Sequence, residues 1–126
     1  MKKSFIAVLA LVGLGVSGLA SADSIANVYS CKLKDGVEME AVQAANSKWL
    51  KFVNAKVEGG GITSAIGTAI VGDVEIFLFV DTYPSLSSWA ATQELLDSDA
   101  GDEIDGLFED LSDCSSSRLW KLEATK

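Results

Sequence analysis

The spacing of apolar positions along the chain changes several times, and each change marks an element. Residues 25–33, IANVYSCKL, alternate loosely and carry Ile, Val and Tyr, the pattern of a strand. Lys34-Asp35-Gly36 reads as a turn. The segment 37–57, VEMEAVQAANSKWLKFVNAKV, has no Gly or Pro and is rich in helix formers. Its Val42, Ala45, Trp49 and Val53 recur at helical spacing, and Leu50 and Phe52 widen the stripe. Glu38 and Glu40 come first and Lys48 and Lys51 later, the order a helix dipole favours. Glu58 and the glycines at 59–61 stop this helix. Residues 62–71 read as a second strand, Gly72-Asp73 as the short turn of a hairpin, and 74–83, VEIFLFVDTY, as its partner strand. Ile76, Phe77, Leu78, Phe79 and Val80 follow one another without a polar interruption, which implies a strand covered on both faces.

Pro84 ends that strand and Ser85 caps a helix over 86–96. Residues 97–101 break the helix. Ile104, Leu107, Phe108 and Leu111 then form another helical stripe, flanked by acids. Cys114 to Ser117 read as a loop, and 118–123, RLWKLE, as the last strand. The order β-α-β-β-α-β, with its second helix broken, predicts an α+β fold of the ferredoxin-like kind. Its four-stranded antiparallel sheet carries the helices on one face. In that topology the end of the first strand lies beside the start of the last, which brings Cys31 towards Cys114.

The first residues follow a different rule. Lys2 and Lys3 precede an uncharged apolar run from Phe5 to Leu19, and Ala20-Ser21-Ala22 is a small-residue cleavage box. This is the layout of a bacterial secretory signal peptide over 1–22, leaving a single domain over 23–126 in the periplasm or outside the cell. The run is short for a membrane span and contains Gly13, Gly15 and Gly18, so no stable membrane association is expected after cleavage. In an exported domain the two cysteines, Cys31 and Cys114, read as one disulfide.

Composition narrows the chemistry. Losing Lys2 and Lys3 takes the net formal charge from −8 to −10, which argues against nucleic acid as a partner. There is no His, so Ser-His-Asp and Cys-His catalysis and His-ligated metals are excluded for this chain alone. No cofactor and no metal are expected. The acids from Asp97 to Asp113 include an Asp97, Asp99 pair like the start of a calcium loop. Gly101-Asp102 then stands in the reverse of the order such a loop needs, and a solvated helix face is the simpler reading. The glycines at 59–61 have no following helix or Lys and do not form a phosphate loop.

The segment FLFVDTYPSLSSWAATQELLDSD carries a resemblance to the dimeric α+β barrel superfamily. That group includes antibiotic-biosynthesis-type monooxygenases, haem-degrading monooxygenases and stress-responsive barrel proteins. An apolar strand runs into the elbow Val80-Asp81-Thr82, followed by Pro84-Ser85-Leu86, Trp89 and Ser98. The resemblance implies a homodimer in which two sheets pack face to face. It also implies a small apolar or aromatic ligand held between sheet and helices. Trp89 matches a substrate-contacting Trp of the haem-degrading branch, and Asn27 lies two residues from the position of its active-site Asn. The iron-ligating His of that branch is missing.

Candidate ligand-binding residues are therefore Asn27, Tyr29, Asn46, Trp49, Asp81 and Trp89. Each has a plainer reading. Trp49 and Trp89 read first as core, Asn27 and Asn46 as satisfied polar groups, and Asp81 as a turn residue at a strand end rather than a buried base. The leading expectation is an exported binding protein without strong catalytic motifs. One alternative is a cofactor-independent monooxygenase using Asn27, Trp89 and Tyr29 or Tyr83 on a phenolic substrate. A structural or interaction protein with no small ligand is the other. N-terminal sequencing of exported protein is expected to begin at Asp23; an intact Met1 on membrane-bound material would overturn the leader assignment.

Overall fold

The computed structural model describes residues 24–126, so the leader and its expected cleavage site lie outside the described residues. The elements are β1 (Ser24–Leu33), α1 (Met39–Lys56), β2 (Thr63–Thr68), β3 (Ile76–Tyr83), α2 (Leu86–Leu96), α3 (Asp99–Glu109) and β4 (Ser112–Leu122). The strands form one antiparallel sheet in the order β2-β3-β1-β4. This is the ferredoxin-like α+β architecture, with the second helix split in two. No helix among the described residues is long and apolar enough to cross a membrane.

The helices lie on one face. Along β3 burial alternates strictly: Phe77, Phe79, Asp81 and Tyr83 are buried, and Ile76, Leu78, Val80 and Thr82 are half-buried. Val42, Ala45, Trp49 and Val53 of α1 form its buried stripe, as their spacing predicts, joined by Asn46. The core divides into two clusters. Trp49, Val53, Val57, Ile62 and Tyr83 form one, and Cys31, Val42, Phe77 and Phe79 the other. Phe108 of α3 packs against both, and its ring meets Phe79 edge to face at 5.5 Å. Among the described residues, helices thus cover only one face of the uninterrupted apolar run of β3. Leu78 and Val80, with Val28 of β1, leave a partly open apolar face beside Trp120 and Leu122 of β4, which are 47% and 49% exposed.

Local chemistry sets the element boundaries. After α1 the backbone passes through Gly59, Gly60 and Gly61 with φ of 81°, 51° and 70°, a left-handed run that only glycine makes readily. Asn54 clamps this turn to the helix. Its Nδ2 donates to the Leu50 and Ile62 carbonyls at 3.1 and 2.9 Å, and its Oδ1 accepts from the Ile62 amide at 2.9 Å. Ser85 and Ser98 cap α2 and α3, accepting from the amides of Ser88 and Gly101 at 3.1 and 3.2 Å. A side chain at Gly101 would overlap the backbone of Leu95 and Leu96, so this glycine permits the sharp join between the two helices.

Four boundaries differ from the sequence reading. The β2–β3 hairpin is not tight. β2 ends at Thr68 and β3 starts at Ile76, because the ladder stops at Thr68 opposite Phe77. Asp73 closes the intervening loop by accepting from the Glu75 amide at 3.0 Å, and Ile70 and Val71 project outward, 93% and 90% exposed. The helix break is confined to Asp97 and Ser98, since the Ser98 cap starts α3 at Asp99. Residues 114–117 are strand rather than loop, because β1 supplies a ladder for their backbone. Asp81 is no turn residue, since β3 continues two residues beyond it.

The longer β4 also explains the disulfide. The register runs Ser30 opposite Ser116, then Cys31 opposite Cys114, leaving Ser115 as the extra residue of a bulge. Without that bulge Cys31 would oppose Ser115. With it, the cysteines face one another and are bonded. Replacing both by Ala is expected to lower stability by about 2–5 kcal/mol. Chemical denaturation of both proteins measures this, and an unchanged midpoint would contradict it.

Candidate functional site

The inner face of the sheet carries a polar band between the two apolar clusters. Ser64 of β2, Asp81 of β3 and Asn27 of β1 stand side by side in the register, with Tyr29 and Ser117 one step along. Strand alternation turns all of them towards the helices. From above, α1 contributes Asn46, one position after Ala45 on its buried stripe.

These groups form two short hydrogen-bonded chains. Asn46 Nδ2 donates to Ser64 Oγ at 2.9 Å, and Ser64 Oγ donates to Asp81 Oδ1 at 2.6 Å. Ser117 Oγ donates to Asn27 Oδ1 at 3.0 Å, and Asn27 Nδ2 donates to the Tyr29 hydroxyl at 2.8 Å. Beside them lies a cavity of about 400 Å³. Tyr29, Trp49, Phe79, Leu96 and Phe108 give it apolar walls, and Asn46, Asp81, Gln93 and Asp105 polar ones. Its size is within the range of small-molecule sites.

Burial dominates the electrostatics. It pushes the Asp81 carboxyl from 3.8 up to about 6, against the opposing effect of the Ser64 hydroxyl. Burial likewise raises the phenols of Tyr29 and Tyr83, and the charge of Asp81 raises both further. Asp105 is raised by partial burial and by Asp102 and Asp97. A carboxyl with Asp81's affinity for protons can accept one near neutrality or hold a ligand by a charged hydrogen bond.

Of the six candidate residues, Tyr29, Asn46, Trp49 and Asp81 line this cavity. Asn27 stands behind Tyr29 on a central strand and is not an edge residue. Trp89 is outside the cavity lining; it packs against the Trp49 cluster, and its Nε1 is buried without a hydrogen-bond partner among the described residues. Ser64, Gln93 and Ser117 carry no signal in the sequence that marks them as neighbours of this cavity. Ser64 and Ser117 become visible only in the register, and Gln93 only once α2 is docked. Among the described residues, no group of three or more His, Cys, Asp or Glu side chains is placed to hold a metal ion.

No family model matches the chain, and no curated protein sequence matches it. Solved structures do. SnoaB, a cofactor-independent oxygenase from Streptomyces nogalater, is 10% identical with a TM-score of 0.59, over 82% of this chain and 97% of that one. A dimeric, ferredoxin-like protein of unknown function from Bacteroides fragilis is 12% identical with a TM-score of 0.51, over 79% and 96%. A NIPSNAP family protein of unknown function from Agrobacterium tumefaciens is 13% identical with a TM-score of 0.56, over 80% and 89%. The chain shares the ferredoxin-like fold of these structures.

The raised Asp81 carboxyl has a stability consequence. Between 3.8 and about 6 the folded chain holds this proton more tightly than the unfolded chain does. Its contribution therefore falls as pH rises through that window and stays lost above it. Asp81→Asn keeps an acceptor for Ser64 and removes the charge. The variant is expected to match wild type near pH 4 and to exceed it by about 1–3 kcal/mol at pH 7.5. Urea midpoints across that range measure the difference, and a pH-independent difference would contradict the assignment.

Proposed function

We propose that this is an exported, homodimeric binding protein for a small molecule held between sheet and helices. The observation that carries the reading is the cavity itself: a well-packed domain of this size has little reason to divide its core around a polar-edged space of about 400 Å³. The aromatic walls suit an apolar or aromatic body, and Asp81 and Asn46, linked through Ser64, offer one polar edge to orient it. The uncovered sheet face supports the dimer, since soluble chains rarely leave such a patch bare, and ferredoxin-like neighbours are described as dimeric. Export rests on the leader pattern of residues 1–22.

A second reading has one observation in its favour. The Asp81 carboxyl, raised to about 6 and close enough to Tyr29 and Tyr83 to perturb both phenols, suits a base that takes a proton from a phenolic substrate. SnoaB, a cofactor-independent oxygenase, shares the fold.

Native mass spectrometry of the untreated protein tests the binding reading and is expected to give twice the chain mass plus a retained small molecule. Oxygen uptake with phenolic substrates separates the two readings; consumption that Asp81→Asn abolishes would favour the enzyme. Leu78 lies on the open face, so Leu78→Asp is expected to give monomer or unfolded protein in sedimentation at micromolar concentration. A folded wild-type monomer under those conditions would overturn the dimer.

A further inference from the structure

The cavity wall carries charge of one sign. Asp81, Asp97, Asp105 and Glu109 line it, and among the described residues no Lys or Arg does. Lys34 donates to the Glu109 carbonyl and pairs with Asp113 at 3.8 Å, but it lines a separate surface hollow.

The four acids differ in setting. Asp97, Asp105 and Glu109 are exposed residues at the end of α2 and along α3, at the rim. Asp81 is on the sheet floor and 5% exposed. Ser64 donates to its Oδ1, and among the described residues no hydrogen bond reaches its second oxygen. A buried carboxylate with half its acceptor capacity unused is costly, and here it faces a cavity rather than packed side chains. Around it stand the rings of Tyr29, Trp49, Phe79 and Phe108.

Ligand charge decides what this arrangement favours. An anion meets a wall of carboxylates. A neutral molecule leaves the Asp81 charge buried and uncompensated. A cation supplies a charge-assisted hydrogen bond to that carboxylate and meets aromatic faces, which attract cations. The net formal charge, −8 for the whole chain and −10 without Lys2 and Lys3, also raises the local concentration of cations at the rim.

We propose that the cavity takes a small organic cation, a protonated amine on an apolar or aromatic body, with its ammonium group paired to Asp81. This deepens the binding reading and rests on it. The ring-bearing walls set the body of the ligand, and the rim acids steer it inward without contributing a specific contact.

Calorimetric titration with three ligands of one shape and different charge tests this: phenethylamine, 2-phenylethanol and phenylacetate, at physiological salt and pH 7.5. Phenethylamine is expected to bind at least about tenfold more tightly than 2-phenylethanol, and phenylacetate more weakly than either. Asp81→Asn, with its fold checked by circular dichroism, is expected to bring amine and alcohol within about twofold of each other. Equal binding of amine and alcohol by the wild type overturns the cation proposal while leaving a ligand-binding cavity. Amine preference that survives Asp81→Asn overturns it too, since the rim would then carry the recognition. If none of the three binds, the cation proposal falls; the binding reading falls with it only if native mass spectrometry also finds the protein empty.

Discussion

The one-sided covering of the sheet is the constraint on which the rest of this molecule depends. A four-stranded sheet has two faces, and the described residues supply helices for only one. The covered face must hold the whole core, so Phe77, Phe79 and Tyr83 of β3 meet α1 and α3 there. The other face keeps Val28, Leu78 and Val80 only half-buried, next to an exposed Trp120. The hydrophobic effect makes the first arrangement stable and the second incomplete. The case for a second copy follows from that asymmetry.

The polar band is placed where the same constraint makes it costly. Asp81 and Asn46 sit on the inward sides of β3 and α1, between residues that build the two apolar clusters. The hydrogen bonds through Ser64 offset part of the desolvation but leave the carboxyl raised to about 6. The stability given up thus falls at the cavity wall and not in the two packed clusters.

The disulfide shows how closely backbone and chemistry are coupled. A single extra residue, Ser115, shifts β4 against β1 so that Cys114 rather than Ser115 stands opposite Cys31. The bond then joins a central strand to an edge strand near the cavity, whose wall includes Cys114. Lost backbone freedom in the unfolded chain, more than any contact of the sulfur atoms, is the source of its stabilisation in the chain-entropy model.

Much of the fold was legible in the sequence because it rests on local periodicity. The α1 stripe, the Ser85 cap, the break between α2 and α3 and the order of elements along the chain all follow from spacing, caps and breakers, which act over a few residues. The cysteine pairing was legible because topology and an even count pointed the same way. The ends of β2, β3 and β4 were not, because a strand extends as far as its neighbour offers hydrogen bonds. The serines at 115–117 carry no strand signal of their own and are strand only because β1 lies beside them. The candidate site was legible in part. Tyr29, Asn46, Trp49 and Asp81 could be named as candidates, but their convergence on one cavity depended on register and on docking of α1 and α3. Asp81 read as a turn residue because its buried state is set by Ser64, Asn27 and the helices above it, all distant in sequence. Periodicity decides which residues face inward; only the packed sheet and helices decide which inward residues meet.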